Sequence, residues 1–157
     1  MSSSDTRPAR KRVLIVCTGN SARSQMAEGF LRHEAGDQFE VFSAGTEPGT
    51  LRPEAVQVMR EIAVDISSQW SKPLDRFLGQ RFDYVITVCD KAREQCPAFP
   101  GETLHLHWPF NDPASADGSS DQRLAVFRKL RDKIHSRVMV FLGEGHYAPG
   151  AFCPGNP

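Results

Sequence analysis

Five apolar residues, Val13-Leu14-Ile15-Val16-Cys17, run directly into Thr18-Gly19-Asn20-Ser21-Ala22-Arg23-Ser24, and apolar residues at helical spacing follow at once in Met26, Ala27, Phe30 and Leu31. A continuous apolar run of this kind suits a strand buried on both faces. The helical stretch spans residues 24–35 and ends at Gly36, a residue suited to stopping it. Strand, short polar loop and helix in that order belong to an open α/β sheet, with the loop at the carboxyl edge where ligands bind.

The alternation continues along the chain. Residues 40–44 form a second short strand, and Pro53 opens a second helix carrying Ala55, Val56, Val58, Met59 and Ile62. Residues 84–88 make a third strand and residues 104–107 a weaker fourth. A long last helix from about residue 121 to 141 carries Leu124, Phe127, Leu130, Ile134, Val138 and Phe141 on one stripe. The expectation is one α/β domain over residues 12–143, with a four-stranded, mostly parallel sheet and helices on both faces. Residues 1–11 are polar, Ser-rich and basic and read as a disordered arm; residues 144–157 read as an irregular tail.

Lys plus Arg and Asp plus Glu each total 19, so the chain is neutral, which argues against a nucleic-acid or membrane-surface protein held by bulk charge. Its longest apolar runs are five residues, far short of the ~20 needed to cross a bilayer. The basic start followed by so short an apolar run also argues against a secretory signal. No Cys/His grouping has zinc spacing, and four cysteines in 157 residues are too sparse for a disulfide scaffold. A cytoplasmic domain without a metal is the expectation.

The segment Cys17-x5-Arg23-Ser24 carries chemistry. From 4 Cys, 14 Arg and 13 Ser in this chain, chance supplies only about 0.03 such matches. Successive N–H groups of Thr18, Gly19, Asn20, Ser21, Ala22, Arg23 and Ser24, with the helix N-terminus, can form a nest for a tetrahedral anion. Arg23 offers a planar fork for two anion oxygens. Such a positive field is expected to lower the Cys17 thiol and make it a nucleophile. Gly19 and Asn20 suit left-handed backbone, and Ser21 and Ser24 are candidate donors to the sulfur. A Walker loop is excluded, since GxxxxGK[ST] and its lysine are missing.

A general acid belongs beside the leaving oxygen. His107-Trp108-Pro109-Phe110-Asn111-Asp112-Pro113 follows the fourth strand at the same sheet edge, and Pro113 holds Asp112 extended. His33 and His135 fall on exposed helix faces, and His105 and His107 share one side of a strand; none has an expected ligand-like partner. Cys89, just past the third strand, lies seven positions before Cys96. In a regular helix that is about 10 Å of rise, whereas a disulfide needs Cα atoms within about 7 Å. The two can pair only if the segment unwinds. Cys17, Cys89 and Cys96 are then candidates for a thiol–disulfide relay, while Cys153 reads as an incidental tail cysteine.

Together these segments resemble the thioredoxin-coupled arsenate reductases of the low-molecular-weight phosphatase fold, which is flavodoxin-like. Val16-Cys17-Thr18-Gly19-Asn20-Ser21-Ala22-Arg23-Ser24-Gln25-Met26-Ala27-Glu28-Gly29 is similar to that class's active loop. Val88-Cys89-Asp90-Lys91-Ala92-Arg93-Glu94-Gln95-Cys96-Pro97 is similar to its redox segment, and the 107–113 segment to its general-acid loop. The resemblance covers about residues 13–142. It implies reduction of arsenate to arsenite for detoxification, with phosphate or sulfate as competing oxyanions. Cys17, Cys89 and Cys96 would act in turn, Asp112 would donate a proton and thioredoxin would be the reductant. No metal or organic cofactor is implied for the electrons. A phosphatase using Cys17, Arg23 and Asp112 alone is the rival. Tyrosine phosphatases of the fold have proline where Gln25 stands and tyrosine where Ala114 stands. Some arsenate reductases hold potassium through an asparagine, a glutamate, a serine and an aspartate. Asn20, Glu28 and Ser43 match, but Lys72 stands at the aspartate position.

Overall fold

The computed structural model describes residues 9–113 and 116–143. Within it the apolar runs become four parallel strands, β1 Lys11–Cys17, β2 Phe39–Gly45, β3 Tyr84–Thr87 and β4 Leu104–His107, in the order β2-β1-β3-β4. Val13 pairs with Val41 and with Tyr84, and Tyr84 with Leu104. The sheet is wholly parallel rather than mostly so. Lys11, assigned to the arm by its polarity, is in the first strand because its backbone pairs with Phe39. The rest of the expected arm up to residue 8 and the whole expected tail from 144 lie outside the described residues.

Among the described residues four α-helices surround the sheet: α1 Arg23–Ala35, α2 Pro53–Arg60, α3 Asp90–Gln95 and α4 Ser120–Gly143. A 3₁₀ turn spans Leu74–Phe77. The alternation of the strands splits the aromatic residues between the two faces. Phe39 and Tyr84 meet Phe141 of α4, which also contacts Trp108. Phe42, on the other face, meets Phe77 of the 3₁₀ turn and Phe82. Val13, Leu14, Ile15 and Val16 are completely buried, as a strand covered on both faces requires. Of the expected α4 stripe, Phe127, Leu130, Ile134, Val138 and Phe141 are buried, and Leu124 is partly buried against the same core. Burial of each such side chain is worth about 1.5–3 kcal/mol. Ile62 falls outside α2, in the turn that follows Arg60 and closes at Ala63 with a left-handed φ of 64°. His135 is not a bare surface histidine: its ring stacks on Phe30 at 4.5 Å.

The arrangement brings the carboxyl ends of β1, β3 and β4 side by side. Cys17, Cys89 and the 107–113 segment all issue from that one edge.

Candidate active site

The Cys17 loop is shaped by a splint. The chain after β2 runs beside it, and the N–H groups of Thr46, Glu47, Gly49 and Arg52 donate to the carbonyls of Cys17, Thr18, Gly19 and Ser21 at 2.9–3.1 Å. The Asn20 carbonyl accepts from Gln25 Nε2 at 2.9 Å and from Ser71 Oγ at 2.5 Å. With those carbonyls satisfied on the outer side, the loop's N–H groups are left to its concave side, which is what an anion nest requires. Gly45 makes the close approach feasible: a Cβ there would stand 2.5 Å from the Thr18 carbonyl oxygen. The left-handed residue is Asn20, with φ 49°; Gly19 is not left-handed. Helix α1 begins at Arg23 with no side-chain cap, so its first N–H groups also face the loop.

Cys17 is buried at the loop's base. Its Sγ accepts from Asn20 N at 3.0 Å and lies 2.9 Å from Ser24 Oγ. Direction follows from the neighbours. Lys72 N donates to Asn20 Oδ1 at 2.8 Å, which fixes the amide orientation. Asn20 Nδ2 therefore faces Ser24 Oγ at 2.7 Å and Ser43 Oγ at 2.9 Å as donor. Ser24, accepting from Asn20, turns its own proton to the sulfur; of the two candidate serines it is the one that reaches it. The expected lowering of the thiol is reversed by burial, which pushes it up and is the largest influence. The Ser24 hydroxyl, the Arg23 charge and the N–H groups of Ser24 and Asn20 pull it back down, and the net direction is upward.

The proposed cation ligands are present but otherwise engaged. Ser43 Oγ donates to Glu28 Oε1 at 2.5 Å, Arg32 pairs with Glu28 Oε2 at 2.6 Å, and Lys72 Nζ lies 3.8 Å from Glu28 Oε1. Glu28 and Lys72 are both buried. Burial lowers the Lys72 ammonium and Glu28 raises it, with the net direction downward. Asn20 Oδ1 is taken by a backbone N–H, and an ammonium sits beside the glutamate. The set does not fit a metal cation, and among the described residues no group of three His, Cys, Asp or Glu forms a metal site.

Arg23 links the loop to the 107–113 segment. Its guanidinium donates to the Phe110 carbonyl at 3.1 Å and lies 3.7 Å from Asp112 Oδ2. Asp112 is half-exposed beside Arg23; the cavity that it lines with Pro109, Phe110 and Pro113 is walled on its other side by Val126, Lys129 and Leu130 of α4 rather than by the Cys17 loop. Cys89 is joined to the loop from the other side, its Sγ 3.2 Å from Thr18 Oγ1. Cys89 is also the N-cap of α3, accepting from Ala92 N at 3.4 Å, and Cys96 follows the last residue of that helix. Cys17, Cys89 and Cys96 are free thiols. Burial alone pushes the Cys96 thiol up.

Three features were not visible in sequence. The helix α3 is short and polar and has no apolar stripe to announce it. The splint works through backbone N–H groups. His107 has partners after all, Thr87 Oγ1 at 2.7 Å and Asp90 Oδ1 at 3.0 Å; Asp90 lies 17 residues away, and only the fold joins them.

Residues 12–145 match the low molecular weight phosphotyrosine protein phosphatase family, and the chain belongs to it. Within that family it is similar to an arsenate reductase of Halalkalibacterium halodurans, 45% identical over 136 residues, or 87% of this chain and 98% of that one. It superposes on an arsenate reductase in its phosphate-binding state with TM-score 0.69 and 33% identity, covering 85% of this chain and 98% of the other. It also superposes on the thioredoxin-dependent arsenate reductase of Corynebacterium glutamicum, with TM-score 0.67 and 28% identity, over 90% of this chain and 64% of that one. Among the described residues no helix is long and apolar enough to cross a membrane.

Proposed function

We propose that this protein is an arsenate reductase that moves two electrons from a dithiol donor to arsenate through Cys17, Cys89 and Cys96. The observation that carries this is the Thr18 hydroxyl, which joins the anion loop to the Cys89 sulfur at 3.2 Å. A phosphatase needs the loop, Arg23 and Asp112, and leaves Cys89 and Cys96 without work.

Arsenate binds to the loop N–H groups and the Arg23 fork, where phosphate or sulfate would compete. Burial pushes the Cys17 thiol up, and the bound oxyanion, seated against it, serves as the base that takes its proton. The sulfur attacks arsenic, and Asp112 protonates the departing oxygen, which leaves as water. Ser24 and the Asn20 N–H stabilise negative charge on the sulfur as it forms. Cys89 thiolate then attacks Cys17 Sγ. The S–As bond breaks, its electron pair stays on arsenic, and arsenite departs, leaving a Cys17–Cys89 disulfide. Cys96 attacks Cys89, expelling Cys17 as thiolate and forming Cys89–Cys96. A thioredoxin-type dithiol reduces that bond, which suits a reducing cytoplasm. Lys72 supplies beside Glu28 the positive charge that a bound cation would otherwise bring.

Arsenate-dependent NADPH oxidation, with thioredoxin and its reductase supplied, tests this directly. Cys89→Ala should abolish it while sparing hydrolysis of an aryl phosphate. Arsenate reduction that persists in Cys89→Ala would refute the relay and favour the phosphatase-like chemistry of Cys17 alone.

A further inference from the structure

Helix α3 has six residues, well below the length of about 12–15 at which a helix holds itself in water. Only Ala92 among them is buried, so apolar packing contributes little. Two side-chain pairs attach it instead. Asp90 Oδ1 meets His107 Nε2 at 3.0 Å. A carboxylate only accepts, so Nε2 carries the proton, and Nδ1 can take the Thr87 hydroxyl proton at 2.7 Å. Lys91 Nζ meets Glu47 Oε2 at 2.5 Å. Both anchors are fixed: His107 ends β4 and is pinned to Thr87 of β3, and Glu47 belongs to the splint, its N–H bonded to the Thr18 carbonyl at 2.9 Å.

We propose that Asp90–His107 and Lys91–Glu47 are tethers that keep α3 wound in the dithiol state, so that these four are positioning residues which set how readily Cys89 and Cys96 join. The inference rests on the relay proposed above. Cys89 and Cys96 flank the helix, and a disulfide between them requires it to unwind. Unwinding carries Asp90 and Lys91 away from anchors that stay with the sheet and the loop, so both pairs break as the S–S bond forms. Whatever the tethers contribute appears in the equilibrium Cys89–SH plus Cys96–SH to Cys89–S–S–Cys96 plus two electrons and two protons. They stabilise the reduced side and make the disulfide the stronger oxidant, easier for a dithiol donor to reduce.

The test uses substitutions outside α3, Glu47→Gln and His107→Phe, so that the helix's own propensity is unchanged. The full-length chain carrying Cys17→Ser is equilibrated with reduced and oxidised dithiothreitol, and the Cys89–Cys96 couple is quantified by thiol trapping and mass spectrometry. Asp90, Lys91 and Glu47 are exposed and only His107 is largely covered, so each substitution should favour the disulfide by about two- to fivefold, a fall in midpoint potential of about 9–20 mV for a two-electron couple. The double variant should show roughly the product, and adding Lys91→Met to Glu47→Gln should give no further shift beyond that of Lys91→Met alone. In parallel, the unsubstituted protein is given arsenate once and its disulfides are mapped. No Cys89–Cys96 bond there overturns the relay itself. A Cys89–Cys96 bond there, with potentials in both variants equal to that of the Cys17→Ser parent, overturns the tethers and leaves the relay standing.

Discussion

Replacing Ser24 by alanine isolates one hydrogen bond at the Cys17 sulfur. Ser24 is fully buried, its hydroxyl lies 2.9 Å from Cys17 Sγ, and its proton is directed there because Asn20 Nδ2 occupies it as a donor at 2.7 Å. Loss of the oxygen removes little volume, so the effect falls on the charge of the sulfur. A hydrogen bond to a charged group is worth about 1.5–3 kcal/mol, which corresponds to about a ten- to hundredfold smaller thiolate population at neutral pH. The more basic thiolate that remains is the better nucleophile, with a Brønsted slope of about 0.4–0.5, so roughly half the loss is recovered on a logarithmic scale. Alkylation of Cys17 by iodoacetamide at pH 7, resolved peptide by peptide, should therefore slow about three- to twelvefold. Burial sets the sign of the wild-type profile. With the thiol raised, its alkylation rate should keep climbing through pH 9.0, the ordinary thiol value. At still higher pH, where both proteins are ionised, Ser24→Ala should become the faster of the two. Equal rates across the range would refute donation from Ser24. Slower alkylation at every pH, with no crossover, would mean that the substitution distorts the loop.

Asp112→Asn should lower single-turnover arsenite formation by about 10²–10⁴-fold with the melting temperature unchanged, because the side chain is half-exposed beside Arg23; a loss below tenfold would return Asp112 to a structural turn. Gly45→Ala places a Cβ 2.5 Å from the Thr18 carbonyl oxygen, so β2 or the loop must shift. Denaturant unfolding should show about 1–3 kcal/mol of lost stability, with oxyanion protection against heat reduced as well; full stability would show that the splint tolerates a shift.

The four strands and three of the helices were legible because each carries an apolar pattern with its own period. Val13 to Cys17 reads as a doubly covered strand, and the α4 stripe from Phe127 to Phe141 reads as one buried face. The loop was legible for a different reason: Cys17, Arg23 and Ser24 are residue types whose spacing has few uses. What escaped the sequence has no local signal. Helix α3 is polar but for Ala92, and its attachments are to Glu47 and His107, far along the chain. The direction of the Cys17 thiol escaped as well. The Arg23 charge and the helix N-terminus are visible in a sequence, but the depth of burial that outweighs them is a property of the packed fold. Gln25 had the same limit. Its departure from the tyrosine-phosphatase pattern was evident, whereas its amide donating to the carbonyls of Asn20 and Trp70 at 2.9 and 2.8 Å depends on the loop packing against the 69–71 segment.

The relay is tested most directly by one turnover of the Cys96→Ala protein with arsenate and no added reductant. Cys17 and Cys89 suffice for the first reduction, so about one arsenite per protein should be released, and mass spectrometry should find Cys17 joined to Cys89 in the same molecules. Thioredoxin should then support only poor further turnover. Arsenite release without the Cys17–Cys89 bond, or normal thioredoxin-driven cycling in Cys96→Ala, would contradict the three-thiol mechanism.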